Sequence, residues 1–427
     1  MVFFLLFVIF LVVGVPIAFS MGLAGLVFLM MNEVPLSAIA QKILTGVDSF
    51  TLLAIPLYVL AGEFMETGGI SRRFMELAAS LVGHIRGGLG HVVVVATMLL
   101  SGISGSSNAD TAAIGSTMIP TMVRKGYSPE KATAIVAAAG GMDILIPPCI
   151  TMIILGSVAN ISVANLFFAG LLSAVVMAVC LMSVIYIDAR RNNIAFEPWK
   201  GWGTVGKAFT NAFWALLIPI IILGGIRVGV FTATEGAVVA VVYSVFIAMF
   251  FYREIQLKDL FPVCVRAAKT SGSIVFLIGT ASLFAWITAR EQLPDLLLNW
   301  ILSISDSPAV FLLLMNVVLL FVGAVLEGSP AVIILTPLLM PVAQKFGIDP
   351  IHFGTIIIAN IGVGFLLPPI GICLLVACSV GKVNVLDVSK PLMPYFVAMI
   401  VALLLITYVP WISLAIPMAL GYQPHGF

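Results

Sequence analysis

The sequence predicts an all-α integral membrane protein with about ten transmembrane helices and two re-entrant hairpins, arranged as an inverted-topology repeat. Three observations carry this expectation. Of 427 residues, 61% are hydrophobic and only 9% charged, with a mean hydropathy of +1.20. A soluble domain carries about 25% charged residues, so this chain lacks the charge to clothe a water-facing surface. Two long apolar segments are broken at mid-length by small and polar residues. The second half of the chain also repeats the first at a shift of 221 positions, the step from Pro120 to Pro341.

A bilayer crossing needs about 20 apolar residues. Candidate crossings are 1–13, 16–31, 50–67, 132–160, 164–187, 209–227, 232–252, 271–290, 351–381 and 391–417. The opening run has no basic n-region and no small-residue cleavage site, so it is expected to stay as membrane helix rather than to act as a signal peptide. Its two short crossings are split at Gly14-Val15-Pro16 and are also consistent with one tilted helix. The longest polar stretch, Asp188 to Lys207, reads as a loop. Residues 34–46 and 294–305 alternate apolar and polar positions at helical spacing, as helices lying along the membrane interface do.

Residues 88–123 and 309–344 are each long enough for two half-crossings, interrupted at SGISGSSNAD and VGAVLEGSPA. The first is flanked by Arg72, Arg73 and Arg86 before it and by Arg124, Lys125 and Lys131 after it. Basic flanks are cytoplasmic, so this segment enters and leaves on the cytoplasmic side. The second is flanked by Arg290, Glu291 and Asp295, then by Lys345 and Asp349. That mixture carries no positive-inside signal, and the hairpin is expected to open from the outside. The basic residues Arg190, Arg191, Lys200 and Lys207 then fall in the cytoplasm.

At the 221-residue shift, Pro120, Gly126, Pro129, Gly141 and the pair Pro147-Pro148 fall on Pro341, Gly347, Pro350, Gly362 and Pro368-Pro369. Copies that face opposite sides of the membrane are the signature of many secondary transporters. The double prolines break a helix inside each copy, because proline removes a backbone donor and clashes with the preceding turn. Irregular backbone at membrane depth is tolerated only where protein buries it or a cavity adjoins it. Carbonyls at the end of a first half-helix favour a cation, and N–H groups at the start of the second favour an anion. Gly140, Gly141, Gly362 and Gly364 stand beside these breaks. Two breaks and two hairpin tips are expected to converge near the midplane.

Ser104, Ser106, Ser107 and Asn108 at the first tip supply oxygens of the kind hard cations prefer, or else cap the second arm together with Asp110. We expect one sodium site among Ser104, Ser107, Asn108, Asp143 and the carbonyls from Gly141 to Pro147. A second is expected among Gly323, Glu327, Ser329 and the carbonyls of Gly362, Gly364 and Pro368. A solute is expected between the tips at Ser106, Asn108, Thr151 and Glu327, with N–H groups of Cys149 and Ile370. Ionisable residues inside membranes are costly and usually functional, which singles out Glu327 and Asp143. For Asp143, a ligand oxygen, a proton site and a plain helix-end acid all remain open.

The five cysteines (Cys149, Cys180, Cys264, Cys373, Cys378) show no CxxC spacing and read as small buried hydrophobes. His84, His91, His352 and His425 share no spacing and read as loop or interface residues. A net charge of +1 argues against nucleic acid as a partner. The sequence carries no phosphate loop, metal-ligand cluster or nucleophile elbow. An intramembrane aspartyl protease would need two close carboxylates, and the repeat sets Asp143 in a break but Glu327 at a tip. A channel remains an alternative, though no filter motif is present.

SGISGSSNADTAAIGSTMIP, RKGYSP, GIDPIHFG and the two Pro-Pro breaks, the second in LLPPIGICLLVA, resemble the large membrane subunit of the tripartite ATP-independent periplasmic (TRAP) transporters over essentially the whole chain. This chain has Asp143-Ile144 where the family usually has Gly-Pro, and Cys149 where it has Ser. The resemblance implies a sodium-coupled importer of a small organic acid, such as a sialic acid or a C4-dicarboxylate, in the bacterial inner membrane. It implies no cofactor beyond sodium and no enzyme activity. The implied partners are a small four-helix membrane subunit and a periplasmic binding protein; a binding-protein-independent carboxylate/sodium symporter is the alternative. It also implies an elevator. Scaffold helices would occupy 1–87 and, with a loop, 188–308. The transport domain would occupy 88–187 (hairpin 88–123, broken helix 132–160) and 309–427 (hairpin 309–344, broken helix 351–381, last helix).

Overall fold

The computed structural model describes residues 2–192 and 198–424, and among them there is no strand. His425 lies outside the described residues. The chain begins with α1 (Val2–Val12), α2 (Ile17–Met31), α3 (Ser37–Val47), a 3-10 turn at Phe50–Leu53, α4 (Ala54–Thr67) and α5 (Ile70–Val82). The first hairpin is α6 (Gly88–Ser104) and α7 (Ser107–Arg124); the first broken helix is α8 (Pro129–Asp143) and α9 (Ile150–Ala159). There follow α10 (Val163–Arg191), α11 (Trp202–Val228), α12 (Ala233–Phe246) with a π turn at Ile247–Phe251, α13 (Leu257–Arg290) and α14 (Leu293–Leu302). The second hairpin is α15 (Pro308–Val325) and α16 (Gly328–Lys345), the second broken helix α17 (Pro350–Gly364) and α18 (Ile372–Gly381), and the chain closes with α19 (Val385–Tyr408) and α20 (Pro410–Ala419).

Both hairpins and both broken helices form where the sequence predicts them. Other expectations are corrected. Of the two readings of the opening run, the structure has two helices and not one: α1 and α2 fold back on each other, bringing Phe3 to 5.7 Å from Phe28 between ring centroids. The crossing expected at 391–417 is two helices, because Pro410 cannot continue α19 and starts α20 instead. The polar stretch Asp188–Lys207 is helical at both ends, since α10 runs on to Arg191 and α11 begins at Trp202. Helix α5 falls where no crossing is expected; it is amphipathic, burying Ile70, Phe74, Leu77 and Ala78 against α6 and α11.

The repeat governs local structure as well as letters. Helices α7 and α16, and likewise α8 and α17, begin and end at positions 221 apart. Each broken helix starts from the same device, proline at the first helical position behind a capping side chain. Ser128 Oγ accepts from Lys131 N at 3.2 Å, and Asp349 Oδ1 accepts from Ile351 N at 2.8 Å.

The two copies are inverted. Helix α10, with 29 residues, is about 43 Å long and serves as a gauge. The start of α8 meets its C-terminal end, where Lys131 Nζ lies 2.8 Å from Asp188. The start of α17 meets its N-terminal end, where Gly354 packs against Leu166. The first turn of each copy's broken helix therefore lies on an opposite side of the molecule, as the charge pattern requires. The copies also interlock: α18 packs on α7 and α8, whereas α9 packs on α16.

Helices α8 and α17 cross at symmetry-equivalent glycines. A Cβ on Gly141 would stand 2.7 Å from the Gly362 carbonyl oxygen, and a Cβ on Gly362 would strike that of Gly141. Alanine in a helix is normally favoured over glycine by about 0.5–1 kcal/mol, but overpacking costs about 1–3 kcal/mol. Gly362→Ala should therefore lower the thermal midpoint of the detergent-solubilised protein. Gly224→Ala, where nothing lies within 4 Å of the new methyl, should hold or raise it. Equal midpoints for the two variants would show that the crossing has slack.

Candidate functional site

A cavity of about 250 Å³ lies where both hairpin tips meet. The first tip contributes Ser104 to Ala109, the second Glu327, Gly328 and Ser329, the first break Ile144, Ile150 and Thr151, and the second break Phe365. The opposite wall comes from α4 (Val59, Gly62, Glu63, Glu66) and α13 (Thr270, Ile274). Larger cavities exist elsewhere, but this is the one where both tips and both breaks converge.

The sequence builds the first tip from small residues because the backbone must turn inside protein. Gly105 ends α6 with φ +64° and lies against the first break, where a Cβ would stand 3.2 Å from the Pro148 carbonyl. Ser104 Oγ donates to Asp110 Oδ2 at 2.6 Å and accepts from Ser106 N at 3.2 Å. Ser101 Oγ donates to the Asp143 carbonyl at 2.8 Å, which ties the first arm to the carbonyl end of α8. The second tip meets its own break in the same way. A Cβ on Gly364 would stand 2.7 Å from the Leu320 carbonyl and 2.8 Å from the Gly323 carbonyl carbon. The tips touch each other where Asn108 Nδ2 donates to Glu327 Oε1 at 3.3 Å.

Beneath the first tip, Asp110 and Asp143 are 2% and 1% exposed. Their carboxyl groups face each other, with Ser101 and Ser107 nearby. Asp110 is held by Ser104, but neither Asp143 oxygen has a partner in hydrogen-bonding geometry. A buried carboxylate without a donor is costly, and two facing carboxylates repel unless a cation or proton lies between them. The cavity wall is also acidic. Among the described residues it carries Glu63, Glu66 and Glu327 and no Lys, Arg or His. Arg266, one turn before Thr270, is occupied: its Nε lies 2.9 Å from Glu63 Oε2 and its guanidinium also donates to Thr67.

Ser104, Ser106, Ser107, Asn108, Thr151, Glu327 and Ser329 thus come together around one space. Asp143, Gly141 and Pro147 are buried behind the first tip, and Gly323, Gly362 and Gly364 behind the second. Cys149 is buried as the residue before α9, adjoining the lining residues Ile150 and Thr151. Pro368 is half-buried. Ile370 stands apart. It is 47% exposed, does not line the cavity, and its N–H already donates to the Leu367 carbonyl at 3.2 Å. Sequence reasoning missed Glu63, Glu66 and Thr270. The signal was available for the two glutamates, a pair of acids three residues apart in the apolar run 50–67.

The profile of the family "Tripartite ATP-independent periplasmic transporter, DctM component" matches residues 4–412. The chain is 38% identical to a C4-dicarboxylate TRAP transporter large permease protein, DctM, of Vibrio cholerae, over 95% of this chain and 94% of that one. It is 37% identical to a sialic acid TRAP transporter large permease protein, SiaM, of the same organism, over 96% of each. Among solved structures it resembles the YdaH transporter of Alcanivorax borkumensis, with a TM-score of 0.56, 12% identity and coverage of 89% and 88% of the two chains, a likeness of fold.

The facing carboxyls make a measurable prediction. Asp143→Asn removes one acid of the pair and supplies a donor. In sodium-free buffer the variant should denature about 2 °C or more above the parent, a gain on the order of 1 kcal/mol. Ser101→Ala, which keeps both acids, should show no such gain. A lower midpoint for Asp143→Asn would mean that its carboxyl is satisfied in a way the geometry does not provide.

Proposed function

The chain belongs to the DctM-component family of tripartite ATP-independent periplasmic transporters, and from that membership we propose that it is the large permease subunit of a sodium-coupled importer of a small organic acid. As a family member it is an inner-membrane transporter subunit, not an enzyme. Its proposed partners are a small four-helix membrane subunit and a periplasmic binding protein that delivers the solute. C4-dicarboxylates and sialic acids, the solutes in the names of two relatives, define the class: a carboxylate on a small polar body.

One observation carries the sodium reading. Among the described residues, the cavity between the tips is lined by three carboxylates, of which only Glu63 is paired with a cation, Arg266, and by no cationic side chain. An organic anion entering it meets like charge at close range, a cost that rises steeply in a low-dielectric site. Cations must therefore accompany the solute, and oxygen-rich corners suit sodium. The first site in this reading uses Ser104, Ser107, Asn108, Asp143 and the carbonyls from Gly141 to Pro147. The second uses Gly323, Glu327, Ser329 and the carbonyls of Gly362, Gly364 and Pro368. The solute sits against Ser106, Asn108, Thr151 and Glu327, near the N–H of Cys149. Ile370 is left out, because its N–H is already used.

The proposed movement is an elevator. The interlocked helices α6–α10 and α15–α20 carry the tips, and α1–α5 and α11–α14 form the frame they slide against. Glu63, Glu66 and Thr270, on the frame side of the cavity, would part from the tips during each cycle.

The complex reconstituted in liposomes with its binding protein should take up the acid when sodium is high outside, with saturation in sodium. Asn108→Ala should raise the half-saturating sodium concentration by about fivefold or more, equivalent to about 1 kcal/mol. An unchanged sodium titration would remove Asn108 from the first site. Uptake indifferent to sodium would end the symport reading, flux without saturation would favour a channel, and full uptake without the binding protein would favour an independent symporter.

A further inference from the structure

The proposed frame and the body it carries meet along a seam that holds two cavities. The inner one is the site between the tips. The outer one, of about 330 Å³, is lined by Thr45, Ser49 and Ser282 of the frame and by Ser157, Asn160 and Pro337 of the body. Asn160 ends α9, and α10 begins at Val163. This cavity therefore lies at the end of α10 away from the basic flanks, towards the outside. The inner cavity lies towards the cytoplasm. Its Glu63 and Glu66 stand near the end of α4, shortly before Arg72 and Arg73. There α13 meets α4, through the bonds of Arg266 to Glu63 and Thr67.

One face of α13 joins the two. Thr270 and Ile274 line the inner cavity, and Ile278, Ser282 and Ala285 line the outer. Steps of three or four residues keep these positions on one side of a helix. On the body, α16 does the same: Ser329 lines the inner cavity, and Ile333 and Pro337 the outer. The two helices pack together and form a track with a hydroxyl at each end of its frame side. Between those ends, Ile274 and Ile278 offer no hydrogen bond to hold a polar tip part-way. No hydrogen bond joins the hydroxyl of Thr270 or Ser282 to a described residue, so each is free to meet a solute. The outer wall is also braced. A Cβ on Gly46 would strike Ser282, and its absence lets α3 close on α13 at this level.

The two walls differ in charge. Among the described residues the outer cavity is lined by no Asp, Glu, Lys, Arg or His, whereas the inner wall carries Glu63 and Glu66. An anion held by the tips meets frame carboxylates only at the inner end, where repulsion favours its release. We propose that the outer cavity is a second station for the tips. The body slides outward along α13 by about 18 Å, the rise of the twelve residues from Thr270 to Ser282. Ser282 then faces the solute in the place that Thr270 holds in this structure. The station presupposes the elevator, and it fixes where that movement ends and which frame residue the solute meets there.

A disulfide ruler tests the station. A disulfide needs Cα atoms within about 7 Å of each other. One cysteine therefore cannot reach two points about 18 Å apart on a helix unless the helices slide. In the reconstituted complex, with the five native cysteines replaced, Ser329→Cys is combined in turn with Thr270→Cys, Ile278→Cys and Ser282→Cys. Each pair is oxidised with and without sodium. The Thr270→Cys and Ser282→Cys pairs should both close. Absence of the bond at position 282 overturns the station in every case, and the other pairs then show whether the elevator falls with it. If the Ile278→Cys pair closes, the body slides a shorter distance and the elevator stands. If only the Thr270→Cys pair closes, the body does not slide and both readings fail. Ala285→Cys, on the same face and the same cavity, takes the place of Ser282→Cys should that variant fail to assemble.

Discussion

The close crossing of α8 and α17 at Gly141 and Gly362 is the constraint on which the rest of the structure depends. Two helices can approach until each backbone contacts the other only where neither carries a side chain, and here the two positions are equivalent under the 221-residue repeat. The crossing therefore marks the pseudo-two-fold relation between the copies. Each carbonyl end, at Asp143 and Gly364, follows two residues after its crossing glycine. The crossing lets α18 reach the first hairpin and α9 the second. Both tips are then delivered to one cavity, joined by Asn108 and Glu327.

Most of this architecture is legible in the sequence because it is written in residues with strong backbone consequences. Double prolines end helices, glycines turn the first tip, and Ser128-Pro129 and Asp349-Pro350 start helices. These signals are local, and α7, α8, α16 and α17 fall where they say. What the sequence does not reveal is three-dimensional. A run of apolar residues reads alike whether a helix continues or folds back, so the α1–α2 turn and the α19–α20 break were ambiguous. The short amphipathic helix α5 resembled polar linker. At the site, the tips were visible by composition, but the frame wall of Glu63, Glu66 and Thr270 comes from helices distant in sequence. Ile370 was a plausible anion contact only so long as its N–H had no turn of its own to close.

The central cavity is acidic, and the guanidinium beside it, Arg266, is held by Glu63. In the proposed reading, a protein that must admit an anion and release it each cycle gains little from a fixed cation at its centre, since tight fixed-charge binding slows release. Under the proposed sodium coupling, cations that arrive and leave with the solute avoid that trap. Asp143 adds to the acidity of the centre and has no partner of its own.

The central claim is that the crossed helices and both hairpins move as one body against the frame. Distances between paired spin labels test it most directly. One pair would be placed inside the body at the exposed positions Val179 on α10 and Val397 on α19, and another across the boundary at Val242 on α12 and Val317 on α15. On adding sodium and solute to the reconstituted complex, the first distance should stay fixed. The second should change by about one helical turn, roughly 5 Å, or more. A change within the first pair while the second holds would contradict the account, because the crossing at Gly141 and Gly362 would then be a hinge and not a clamp.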